Sequence, residues 1–168
     1  MILASVLETA RLLIRAFEPA DAAILVAIFA DPHVSRFVGD GSALSSGDAH
    51  LWVVNSTANL ERHGYGTGAV IERSSGQLIG WAGFARPHDG PEQLIYGLSA
   101  AYWRQGFGSE IVEALVNFAD GRGINPLFAT VDPSNSVSIH LLSKHGFRIA
   151  EQAYGGEPDT DLYQRERR

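Results

Sequence analysis

No cysteine occurs among the 168 residues, which excludes a disulfide framework, a thiolate metal site and an acyl intermediate carried on a cysteine sulfur. Also missing is any apolar run near the roughly 20 residues that a membrane helix needs. The opening Met1–Glu8 (MILASVLE) has no basic residue ahead of its short apolar stretch, so no secretory signal is expected. Positive charge is scarce: 13 Lys and Arg stand against 19 Asp and Glu, a formal net charge of −6. That balance disfavours nucleic acid as a partner, because phosphate backbone binding needs a positive surface. It suits a cationic partner such as an amine. The basic end Gln164–Arg168 (QRERR) reads as a solvated terminus. A soluble, cytoplasmic chain is expected, with residues 1–168 as one domain and 45% hydrophobic residues to enclose its core.

What is present alternates between helical and strand patterns. Leu7–Phe17 (LETARLLIRAF) mixes apolar and polar residues as one half-solvated strand would. Glu18-Pro19-Ala20-Asp21 opens a helix, with proline tolerated in the first turn and acids near the positive end; Asp31-Pro32 stops it. A second helix is predicted from Ser45 or Ser46 to about His63, with serine as N-cap and Gly64 as the left-handed closing residue. Tyr65–Arg73 and Leu78–Phe84 flank the turn Ser74–Gln77, and Glu92–Leu98 adds a third strand after the loop Arg86–Pro91. A helix from about Arg104 to Asp120, a strand Pro126–Val131 and a helix Ser134–His145 follow. Strands at Phe147–Gln152 and Asp161–Gln164 close the chain. Strand–helix–strand order implies a parallel pair joined by a crossover. The fold class is α/β, a mixed sheet of six or seven strands flanked by helices.

One segment carries the chemistry. In Tyr102–Glu110 (YWRQGFGSE) two glycines, Gly106 and Gly108, fall at the first turn of a helix that follows a strand. Each glycine there costs about 0.5–1 kcal/mol relative to alanine, so two in one turn require a reason. Without Cβ atoms, a phosphate can approach the unpaired N–H groups of that turn, and Arg104 would add charge. Close helix–sheet packing, or a loop with positive φ, would use the same glycines. The segment by itself leaves both open. There is no G-x-x-x-x-G-K-[ST], and Gly64–Gly68 (GYGTG) precedes a strand instead of linking strand to helix, so neither a P-loop nor a dinucleotide fold is supported.

At Thr9–Asp21, Gly64–Phe84, Tyr96–Leu115 and Thr130–Phe147 the chain resembles the GCN5-related N-acetyltransferase (GNAT) superfamily. Within it the likeness is to the branch typified by the ribosomal-protein N-terminal acetyltransferases RimJ and RimL. The family's phosphate loop is written Q/R-x-x-G-x-G/A; Gly106 and Gly108 match its glycines, and Trp103 stands at the Q/R position. The resemblance implies acetyl-CoA as cosubstrate, no metal, an amine acceptor, and a monomer or homodimer. It implies that Trp103, Arg104, Gln105, Gly106, Phe107, Gly108 and Ser109 hold the pyrophosphate. Leu98 and Ser99 would pair with the pantetheine arm, Asn135 would lie beside that arm, and strands Glu92–Leu98 and Pro126–Val131 would splay to admit it.

A thioester is already activated, so the protein has to align a neutral amine and stabilise the oxyanion, for which a backbone N–H at Leu98 or Ser99 is available. Many relatives supply a tyrosine to the leaving sulfur at the position of Leu142; the related branch offers Ser138, which could equally be a surface or capping serine. A carboxylate often stands at the position of Gln93. Adjacent Glu92 points to the opposite face unless a bulge intervenes, and Tyr96, His88, Asp89, His140 or a water chain are the other routes for the amine's proton. Substrate recognition would fall to the first two helices, their connection His33–Ala43, the Arg86–Pro91 loop and the C-terminal hairpin. A module of the same fold that binds acyl-CoA without turnover is the alternative, and a structural domain whose glycines only pack is another.

Overall fold

The structure, a computed structural model, describes residues 7–38, 41–85 and 92–167. The expected loop 86–91, with His88 and Asp89, lies outside the described residues. Eight strands form one sheet: β1 (Leu7–Glu8), β2 (Leu12–Ala16), β3 (Thr67–Glu72), β4 (Leu78–Ala85), β5 (Gln93–Leu98), β6 (Leu127–Val131), β7 (Arg148–Glu151) and β8 (Asp161–Arg165). Their order across the sheet is β1-β2-β3-β4-β5-β6-β8-β7. Five helices accompany them: α1 (Asp21–Phe29), α2 (Pro32–Ser35), α3 (Ser46–His63), α4 (Phe107–Arg122) and α5 (Ser136–Lys144). Every strand pair is antiparallel except β5 with β6, which α4 joins by a crossover.

Side chains alternate across the sheet with period two except at the β3–β4 irregularity, where the register shifts between Val70 and Ile71 and Ile79 and Trp81 fall on opposite faces; both faces are covered. Val70, Ile79, Ala82, Phe84, Leu94 and Leu98 pack with Phe107, Ile111 and Leu115 of α4 and Leu142 of α5. Ala69, Ile71 and Trp81 turn the other way, to Leu25, Ile28 and Phe29 of α1 and Val53 of α3. There Trp81 stacks on Phe29 at 4.7 Å between centroids, and Trp52 meets both rings edge-on. Burying such a ring contributes about 1.5–3 kcal/mol relative to leaving it in water, so Trp81, at 3% exposure, is core. No helix among the described residues is long and apolar enough to cross a membrane.

Local signals set several boundaries. The Ser45 hydroxyl accepts from Asp48 N–H at 3.1 Å to cap α3, and Gly64 at φ +78° closes it. Two expectations need correction. The sheet has eight strands instead of six or seven, because residues 7–17 break in two at Thr9–Arg11, where Thr9 N–H donates to Leu12 O at 2.9 Å and β1 folds back on β2. Asp31-Pro32 ends α1 but also opens α2: the Asp31 carboxylate accepts from His33 N–H at 2.9 Å, and proline sits where no donor is lost.

Candidate active site

The chain leaves β5 at Leu98, makes a 3₁₀ turn at Ala100–Tyr102, and reaches α4 through residues 103–106. The helix therefore starts at Phe107 and not near Arg104. Gly106 is its N-cap at φ +81°, and only Gly108 lies within its first turn. Neither Arg104, at φ +61°, nor Gly106 has helical torsions, while Gln105 between them keeps a negative φ. A left-handed conformation costs a non-glycine residue roughly 1–2 kcal/mol, so Arg104 is held there by its surroundings. Backbone that alternates in handedness turns successive N–H groups toward one concavity, a nest that suits an anion. The first α4 bond runs from Glu110 N–H to Gly106 O at 3.2 Å. The N–H groups of Phe107, Gly108 and Ser109 therefore precede the helical ladder and add to the same positive end.

The two glycines do different work. An added Cβ at Gly106 would meet only Arg11 Nη2, at 3.4 Å, so positive φ is what requires glycine there. At Gly108 it would stand 3.2 Å from Leu141 Cδ2 on α5, so close helix approach is involved. Gln105 Nε2 donates to Ala101 O at 2.9 Å, and the Trp103 indole N–H donates to Leu98 O at 2.9 Å. The turn between β1 and β2 also grips this loop. Arg11 Nη1 donates to Gln105 O at 2.9 Å, while Arg11 N–H and Nε reach Glu110 at 2.8 and 2.9 Å. Partial burial raises the Glu110 carboxyl pKa, but hydrogen bonds from Thr9 and Arg11 outweigh it and hold it below the ordinary value.

Between β5 and β6 the sheet opens. Among the described residues they share the single pair Gln93 with Phe128, although each continues for several residues. Ser99 N–H is already bonded to Ile79 O at 2.7 Å. By strand alternation the N–H of Leu98 therefore faces the opening toward β6. Of the two amides considered for an oxyanion, the one with a free direction is Leu98.

Across the opening, the Tyr96 and Ser138 hydroxyls are 2.8 Å apart. Asn135 caps α5 by accepting from Ser138 N–H at 3.2 Å, which places the serine. Burial raises the Tyr96 phenol pKa, and the bond to Ser138 offsets part of that, so the phenol stays neutral near pH 7. Leu142, at the position where many relatives carry tyrosine, is 1% exposed in the core. Glu92 precedes β5, and its carboxylate accepts from the Tyr65 hydroxyl beside Phe84 and Phe118. Gln93 faces Thr130, whose hydroxyl donates to Gln93 Oε1 at 2.9 Å. At ~3.3 Å per residue, Glu92 lies ~13 Å along the strand from Tyr96, so Glu92 and Ser138 are not brought together. His140 is exposed. The contribution of Thr9, Arg11 and Glu110 was not read from the sequence; an arginine in a turn and an acid in a first helical turn, about a hundred residues apart, offer no local signal of contact.

Comparison with known proteins points one way. Residues 11–148 match the family model described as acetyltransferase (GNAT) domain. The chain is 31% identical over 169 residues to the uncharacterized N-acetyltransferase YoaA of Bacillus subtilis (strain 168), covering 94% of each chain. It also resembles the crystal structure of the acetyltransferase from Agrobacterium tumefaciens str. C58, with a TM-score of 0.83 at 23% identity, over 97% of this chain and 95% of that one. RimL, the ribosomal L7/L12 α-N-protein acetyltransferase solved with coenzyme A, superposes with a TM-score of 0.79 at 16% identity, over 96% and 98% of the chains.

Proposed function

The chain belongs to the GNAT acetyltransferase family, and from that premise we propose that it transfers acetyl from acetyl-CoA to a primary amine, either a protein N-terminus or a small molecule. The family uses acetyl-CoA as its cosubstrate. The observation that carries the reading is the backbone of residues 103–109: alternating handedness at Arg104 and Gly106, followed by the N–H groups of a helix start. That concavity fits a diphosphate, whose charge it meets with oriented donors and not with a bulky side chain. The arm of the cosubstrate would run from there into the opening between β5 and β6. Residues 1–168 act as one cytoplasmic domain, monomeric or homodimeric, in a RimL-like manner.

Transfer is direct. The amine nitrogen attacks the thioester carbonyl carbon, and Leu98 N–H faces the side where the oxyanion forms. The C–S bond then breaks, the sulfur leaves with the bonding pair, and the proton shed by the nitrogen goes to solvent. Ser138 donates a hydrogen bond to the departing sulfur and the neutral Tyr96 hydroxyl donates one to Ser138 in turn, so both hydroxyls keep their protons and the thiolate is protonated from solvent. On its way to solvent the amine's proton passes through water by way of Glu92, the carboxylate just ahead of β5.

The test is thiol release from acetyl-CoA across a panel of N-terminal peptides and small amines. Acceptor-dependent release is expected. Tight coenzyme A binding with no release on any acceptor would replace this reading by that of an acyl-CoA-binding module.

A further inference from the structure

We propose that Arg11 is a positioning residue for the phosphate loop, one that sets the direction of the Gly106 N–H from outside the loop. This rests on the reading that residues 103–109 hold the diphosphate of acetyl-CoA. Arg11 lies in the turn between β1 and β2, on the far side of the sheet order from β6. From there one guanidinium reaches both ends of the loop. Nη1 takes the Gln105 carbonyl at 2.9 Å, and Nε takes Glu110 Oε2 at 2.9 Å. Its backbone N–H takes Glu110 Oε1 at 2.8 Å, an oxygen that also accepts from the Thr9 hydroxyl at 2.5 Å. The guanidinium carbon stands 4.1 Å above the centre of the Phe107 ring.

The consequence comes from the planarity of the peptide bond. In a trans peptide the carbonyl of Gln105 and the N–H of Gly106 point in opposite directions. Holding the carbonyl toward Arg11 therefore turns the Gly106 N–H away from it, into the concavity. Gly106, whose nitrogen belongs to that peptide, has φ +81°, and Arg104, the residue before Gln105, has φ +61°. Stability is a poor reason for this concentration of contacts. The arginine side chain is 46% exposed and its Glu110 partner 17%, and solvent around the arginine keeps the pair's contribution to folding small. Arginine is required because one planar fork must meet two acceptors and lie on a ring at once, which an ammonium cannot do. Nη2 stands 3.4 Å from the point where a Gly106 Cβ would be, so positive charge also remains at the rim of the cradle.

The experiment compares acetyl-CoA with S-acetylpantetheine, which has the thioester and arm but no diphosphate, on wild type, R11M and R11K. For R11M, KM for acetyl-CoA is expected to rise about tenfold or more, the loss of one charge-assisted contact, with kcat within about twofold. Its kcat/KM on S-acetylpantetheine stays at the wild-type value, and R11K resembles R11M. Equal losses on both substrates, or a wild-type preference for acetyl-CoA in R11M, overturn the role. If R11M does not fold, E110Q, which keeps the side chain's size while removing the charge that holds Nε, decides the matter. A selective loss on acetyl-CoA supports the role, and an equal loss or none overturns it. A wild type that does not prefer acetyl-CoA over S-acetylpantetheine would instead overturn the phosphate-loop reading itself, which separates the two failures.

Discussion

The loop at residues 103–109 and the hydroxyl pair Tyr96–Ser138 are neighbours, with Tyr96 Cε2 4.0 Å from the point where a Gly108 Cβ would be, and they are built differently. The loop offers backbone donors and is fixed by Trp103 to Leu98, Gln105 to Ala101, and Arg11 to both Gln105 and Glu110. The pair offers side chains, joined by one 2.8 Å bond and placed by the Asn135 cap. Recognition through the backbone, as proposed for the loop, tolerates changes of side chain and so accommodates Trp103 where the family pattern has Gln or Arg. Side-chain chemistry has no such tolerance: with Leu142 where many relatives have tyrosine, the proposed mechanism assigns that hydroxyl's role to Ser138. Binding and proton handling can thus diverge independently within one scaffold.

Substitutions can break this contrast. The largest effect is expected for Gly106→Val, because a β-branched residue at φ +81° costs about 1–3 kcal/mol in strain and distorts the cradle. Loss of the coenzyme A-induced rise in melting temperature, with at least a 100-fold fall in kcat/KM, is the expected outcome; a normal rise would show that the loop geometry is dispensable. Next comes Ser138→Ala, which should lower kcat roughly 100-fold with KM for acetyl-CoA unchanged. Tyr96→Phe should lose about tenfold and add nothing to the Ser138→Ala loss, since the two hydroxyls form one unit; full additivity would separate them. Gly108→Ala sharpens the difference between the glycines. Alanine gains about 1 kcal/mol of helix propensity, and crowding Leu141 at 3.2 Å takes back about as much. Melting temperature and coenzyme A affinity should both stay close to wild type.

The smallest effect is one of pH. Glu110 has a folded-state pKa below its ordinary value, so the folded chain binds the proton less readily than the unfolded chain. Its contribution is present above the unfolded pKa and is lost as pH falls through the lower folded value. Glu110→Gln should therefore show a shallower loss of stability on acidification in urea titrations, and an identical acid limb would argue against the Thr9–Arg11–Glu110 contacts.

Much of this was legible in local sequence. Ser45 and Gly64 mark α3 because a cap hydroxyl and a left-handed glycine act within four residues of the helix end. That Gly106 and Gly108 require a reason is legible in the sequence, but their division of labour is not: one depends on a torsion, the other on Leu141 across a helix interface. The break of residues 7–17 into β1 and β2 escaped because its support comes from Glu110, 99 residues from Arg11. Arg104 has good helix propensity, which points to an earlier start for α4 than Phe107, and tertiary contacts override that preference. Tyr96 and Ser138 are 42 residues apart, and no pattern in either segment announces their meeting.

The single pair between β5 and β6 means that the sheet is joined like a zipper left undone past its first tooth. Strands β1 to β5 form one leaf, β6 to β8 the other, and amides such as Leu98 N–H line the unfastened edge. An extended molecule carrying its own amides, laid in that seam, acts as a temporary ninth strand. With acetyl-CoA held there as proposed, the chain would be most completely folded while it carries its cosubstrate, and slowed amide exchange along β5 would register each closing of the seam.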